Sequence, residues 1–198
     1  MNSRTLSTLI LLNDLRHAAV DALREKHKLP SLLLFYSFID ICASLAEETP
    51  AKTNRDRFES YLRAYALLNW QAFTPYDLWA ARSSLLHAYS PLGDHTSKPN
   101  GAKVIFYFAW PETRDQMHEA ITSRGYTDFY LMDVNTIKHV AVSCFNGLWM
   151  RVDKEPQFEL SFRANAEHLL KDLRHIQLEN ELNLLEELAQ LSAGRQDA

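Results

Sequence analysis

The chain reads as mainly α: an up-and-down helical bundle with a small strand-helix-strand appendage and a long C-terminal helix. Three observations carry that expectation. Apolar residues recur at helical spacing through four successive segments before residue 91. Only five glycines occur in 198 residues, which suits long helices better than a turn-rich β protein. Between residues 102 and 134, two β-branched and aromatic runs of strand length flank one short helical segment.

Residues 4–27 predict a first amphipathic helix, with Leu9, Leu12, Leu15, Arg16, Ala19 and Leu23 near one face. A break at Lys28-Leu29-Pro30 opens a second helix, Pro30 to Glu48, because proline suits a first helical turn. Its polar stripe holds Tyr36, Ser37, Asp40, Ser44 and Glu47. The loop Thr49 to Lys52 leads to a third helix, Asn54 to Asn69, with Phe58, Tyr61, Leu62, Tyr65 and Leu68 in register. Helices joined by such short loops are expected to pack as a bundle. The fourth carries its own punctuation. Thr74 can cap it, Pro75 fits its first position, Asp77 sits near the positive dipole end, and Pro91 stops it.

From Leu92 to Gly101 the composition turns to Gly, Asp, Ser, Lys, Pro and Asn, a loop and the main architectural boundary. Val104 to Trp110 and Phe129 to Val134 then read as strands. Glu112 to Arg124 reads as the helix between them, stopped by Gly125. A crossover of that size permits parallel pairing. Asn135 to Val152 is strongly helical despite Gly147, and Pro156 ends it. A final leucine-rich, acidic helix is expected from about Leu160 to Ser192. The expected division is 1–91 for the bundle, 92–134 for the loop and appendage, and 135–198 for C-terminal helices packed on the same domain.

Composition excludes several functions. Hydrophobic residues make up 46% and charged residues 23%, an ordinary globular balance. A net charge of −4 argues against coating nucleic acid by bulk electrostatics, so an RNA substrate needs a local patch. Cys42 and Cys144 lie in apolar periodic segments and read as buried thiols, with a reducing cytoplasm the expected setting. The apolar run Leu6 to Leu12 is soon broken by Asp14 and Arg16, so it does not read as an export signal. Leu29 to Ala46 approaches membrane length, but Asp40 and several hydroxyls mark it as a core helix, so no membrane partner is expected. His17, His27, His95, His118, His139, His168 and His175 show no ligand spacing. Gly-rich phosphate loops, nucleophile elbows and paired-cysteine motifs do not occur. No metal and no cofactor is expected.

The anomaly lies in the fourth helix. Its apolar stripe reads Leu78, Trp79, Arg82, Leu85, Leu86, Tyr89, which puts a guanidinium where a bundle helix would place leucine. Buried there, it would require hydrogen-bonding partners or water. The run Arg82-x-x-x-x-His87-x-Tyr89 resembles the signature of HEPN domains, and the tyrosine two residues after the histidine resembles toxins of HEPN and minimal-nucleotidyltransferase pairs. The resemblance covers the signature and the helical context from about residue 3 to 91. One departure is Ser83, where many family members carry asparagine or a similar polar residue. The likeness implies a metal-independent endoribonuclease, a toxin or phage-defence factor restrained by a nucleotidyltransferase-like antitoxin, and a homodimer.

The residue types suit that chemistry. Histidine titrates near neutrality and can move protons at an attacking 2′-hydroxyl and a leaving 5′-oxygen. Arginine keeps its charge and grips phosphate oxygens with a planar fork. Five residues on one helix are separated by about 7.5 Å along the axis and about 140° around it, so one monomer offers the pair poorly to one phosphate. Two copies of the helix across a two-fold axis would line a single cleft.

Each residue also has a structural reading. Arg82 could form a buried ion pair, with Asp40 or another acid, that fixes helix packing, or Asp40 could orient Arg82 for catalysis. Alternatively, Asp40 belongs to a solvated stripe. His87 could be a helix-end histidine near the negative dipole. Tyr89 could be a core aromatic or a site of nucleotidyl transfer, and Ser83 and Ser84 small packing residues. A helical interaction protein that keeps the fold without catalysis is the competing expectation.

Overall fold

The computed structural model describes residues 3–68, 70–88 and 101–169, with the side chains of 87 and 88 outside that description. It is mainly helical, with one small parallel sheet, as the sequence predicts. Along the chain come α1 (Ser3–Arg24), α2 (Lys28–Leu45), α3 (Asn54–Tyr65), α4 (Pro75–Ala88), β1 (Val104–Phe108), α5 (Arg114–Thr122), β2 (Phe129–Asp133) and α6 (Val134–Lys154). A further helix, α7, begins at 156 and is described to 169. The rest of the expected C-terminal helix lies outside the described residues.

Local chemistry sets most of these ends. The N–H of Lys26 bonds to Leu23 O and that of His27 to Ala22 O, the crossed pair that closes a Schellman motif. Lys26 takes the left-handed position at φ 64°, where glycine is usual. The turn is so tight that α2 starts at Lys28 rather than at the expected Pro30. Pro30 falls in the first turn, where its missing N–H has no helical partner to lose. Thr53 caps α3 by accepting from Asp56 N at 3.1 Å, and Asp133 caps α6 by accepting from Asn135 N at 2.8 Å. Such caps contribute about 0.5–2 kcal/mol each.

Other boundaries differ from expectation too: α2 ends at Leu45 rather than Glu48, and β1 at Phe108 rather than Trp110. α3 stops at Tyr65, four residues early, because Ala66 is extended and the following loop turns Trp70 and Phe73 inward. Those rings contact each other at 5.8 Å, and Phe73 meets Tyr130 of β2 at 5.1 Å. The helix between the strands opens as a 3-10 turn, Pro111–Thr113, before α5. Pro156 does not merely end α6; it opens α7 at the first helical position, which its fixed φ favours.

α2 is the central element and packs against α1, α3, α4 and α6. It is the one described helix long and apolar enough to cross a membrane, but half of that window is buried inside the protein, as a core helix requires. Leu32, Phe35, Tyr36, Phe38, Ile39 and Cys42 are fully buried in it. Ser31 Oγ donates to Ala19 O at 2.8 Å and ties it to α1.

The strands pair in parallel from Val104↔Phe129 to Phe108↔Asp133. Ile105, Tyr107 and Met132 enter the same core as the helices. The Tyr107 hydroxyl hydrogen-bonds that of Tyr36, and Lys28 Nζ donates to Tyr107 O at 3.0 Å. Burial raises the pKa of both tyrosines. On the other side of the sheet, Phe106 stacks edge-on against Tyr126 and Phe129, and His118 of α5 tilts against Phe129.

Candidate functional site

α4 is held rigidly at its start. Thr74 N and Oγ1 donate to Asp77 Oδ2 at 2.7 and 2.8 Å, while Asp77 N donates back to Thr74 Oγ1 at 3.2 Å. Lys103 N adds a bond to Asp77 Oδ1 at 2.7 Å. The predicted cap therefore also ties α4 to the chain entering β1. This network gives the buried Asp77 side chain its hydrogen-bond partners.

Beyond that turn the buried face of α4 consists of Leu78, Ala81, Ser84 and Leu85, with Ala80 also enclosed. Arg82 and Trp79 stand at its margin, each half-buried. The expectation that Arg82 replaces a core leucine is thus corrected by one position. Ala81 fills the seam, and the guanidinium borders it. Ser84 is a packing residue as foreseen, and its Oγ is buried without a hydrogen-bond partner.

Arg82 and Asp40 are brought together. Arg82 Nε donates to Asp40 Oδ2 at 2.6 Å, and Nη2 bonds the same oxygen. The side chains keep 19% and 20% of their surface, so solvent reaches both. The guanidinium carbon lies 4.8 Å from the Trp79 ring centre, and Phe58 of α3 supports that ring at 5.5 Å. Asp40 of α2 and Trp79 of the arginine's own helix thus fix it, with Phe58 of α3 behind the indole, and the bonds to Asp40 use two of its five N–H donors. Burial pushes the Asp40 carboxyl above its usual pKa; Arg82 and then Arg57 pull the other way without overcoming it.

Trp79 and Arg57 were not singled out from sequence. Trp79 could have been, since it lies three positions before Arg82 on one helix face. Nothing in the sequence distinguishes Arg57 from its neighbours. His87 lies in the last turn of α4, but its side chain, like the whole of Tyr89, lies outside the described residues. Ser83 is half-buried beside Arg82.

Chemically, the cluster can present a pre-oriented planar cation at a solvent-reached edge, with charge balanced by its carboxylate. Fold and site together define a class: a mainly helical protein bearing a carboxylate-held, indole-backed arginine on its fourth helix. Comparison with family models, curated proteins and solved structures finds no match.

Proposed function

We propose that the protein is a HEPN-like metal-independent endoribonuclease acting as a toxin or defence factor. The observation that carries this reading is Arg82, held by Asp40 and Trp79 at the edge of α4, five residues before His87 on the same helix. Arg82 would bind the scissile phosphate and stabilise the charge that grows on its oxygens. His87 would take the proton of the 2′-hydroxyl, and that oxygen would attack phosphorus. The 5′-oxygen would leave with a proton returned by the protonated His87, giving a 2′,3′-cyclic phosphate and a 5′-hydroxyl end. Helical spacing separates the two side chains, so a homodimer that juxtaposes two α4 helices completes the site. Tyr89 would be the target of a nucleotidyltransferase-like antitoxin.

A second reading is favoured by the same salt bridge. Asp40 neutralises Arg82, which suits a scaffold contact in a non-catalytic helical interaction protein. Incubating total RNA with wild type, Arg82→Lys, Arg82→Ala and His87→Ala in the presence of EDTA separates the two. The nuclease predicts cleavage by wild type and a loss of at least about a hundredfold in His87→Ala. Arg82→Lys retains charge without the fork and falls between wild type and Arg82→Ala. Circular dichroism checks folding, and light scattering checks the dimer. Wild type that leaves RNA intact would assign Arg82 to the scaffold.

A further inference from the structure

We infer that the cavity between the C-terminal end of α2, the loop after it, α3 and Arg151 of α6 binds a small organic anion, an anionic head on a compact apolar body. It does not depend on the ribonuclease reading. The cavity measures about 410 Å³, within the range of roughly 300–1,000 Å³ typical of small-molecule sites. Small side chains create it. Ala43, Ala46, Ser60 and Ala64 stand in its wall, where larger residues would close the seam between α2 and α3.

Its charged lining is balanced in number, with Glu47, Glu48 and Asp56 against Lys52, Arg57 and Arg151. It is unbalanced in engagement. Glu47 Oε1 accepts from Ala51 N at 2.6 Å, Asp56 Oδ2 from Thr53 Oγ1 at 2.9 Å, and Glu48 Oε1 pairs with Arg151 Nη2 at 2.9 Å. Arg151 is saturated too. It bonds Glu155 and the Tyr65 hydroxyl, and it lies 3.9 Å over the Phe158 ring. Arg57 differs. It forms an ion pair with Glu47 at 3.7 Å, a separation too long for a hydrogen bond, and its charge is also felt by Asp40. Each carboxylate thus has a partner within the protein, while among the described residues the side chains of Arg57, ion-paired with Glu47, and Lys52 donate no hydrogen bond.

The C-terminal end of a helix would ordinarily repel an anion. Here Asn165 of α7 donates its side-chain amide to Leu45 O at 3.2 Å and Glu47 O at 2.7 Å, which quiets that end. An anionic head would therefore seat between Arg57 and Lys52, with its apolar body against Ala46, Tyr61 and Tyr65.

Isothermal titration and thermal shift with hexanoate and phenyl phosphate test this, with 1-hexanol as the uncharged control. Saturable binding of at least one anion is expected, with 1-hexanol at least tenfold weaker. Arg57→Gln should weaken that anion at least tenfold, and Ala46→Leu, which fills the cavity, should abolish it. Absence of binding by both anions, equal binding of 1-hexanol, or undiminished binding by either folded variant would overturn the assignment.

Discussion

Asp40 and Arg82 form the contact on which the candidate site rests, and the two pull differently on stability. Coulomb attraction across a contact this short is favourable, but taking a carboxylate most of the way out of water costs more here, so the Asp40 pKa rises above 3.8. A raised folded-state pKa means that the folded chain holds the proton more tightly than the unfolded chain. Its stabilising contribution is complete below the unfolded value and is lost as pH rises through the folded value. Urea unfolding of wild type and Asp40→Asn between pH 3 and 7 should therefore show wild type losing ground to the variant as pH rises through the carboxylate range, then levelling. A difference that moves the other way would mean that Arg82 dominates. The anomaly of an arginine in an apolar stripe is legible in the sequence, and so is Asp40 as its candidate partner. That Ala81 and not Arg82 fills the seam is not, because a one-residue step around a helix turns on packing against α2 that periodicity does not encode.

Among the elements, α3 and α6 show most clearly how tertiary contact overrides local preference. Gly147 sits mid-helix, where alanine would gain about 1 kcal/mol in propensity. A Cβ there would lie 2.6 Å from Tyr65 Cδ1. That ring is pinned by Arg151 Nη1 at 2.9 Å and by Tyr61 at 4.8 Å between ring centres, so it cannot swing aside. Gly147→Ala should therefore destabilise the fold by about 1–3 kcal/mol, the usual range for overpacking. In a Tyr65→Ala background the same change should become neutral or stabilising, and chemical denaturation of all four proteins reads the cycle. The sequence shows the helices and most caps, because capping and periodicity are local. It misplaces the ends of α2 and α3, because a left-handed Lys26 and two inward-turning aromatics decide them.

At the scale of the molecule, the strand unit and the helices draw on one core. Buried side chains from α1, α2, α3, α4, β1, β2, α6 and α7 form a single cluster. Two strands alone would be marginal in water, and the Tyr36–Tyr107 contact and Lys28 anchor them to α2. One cooperative transition is therefore expected. Far-ultraviolet circular dichroism, which follows the helices, and the fluorescence of Trp110, which follows β1, should give coincident unfolding curves in a chain whose other three tryptophans are phenylalanine. A separate early transition at Trp110 would divide the molecule into two units. The mainly helical class and the parallel pairing are legible in the spacing of the strands. The shared core is not, since it depends on which face of β1 meets α2.

Because the Arg82 guanidinium rests on the Trp79 indole, the cluster contains its own optical gauge. An anion that draws the charge off that ring changes the field around the chromophore, so occupancy can be followed as a shift in emission without any attached dye.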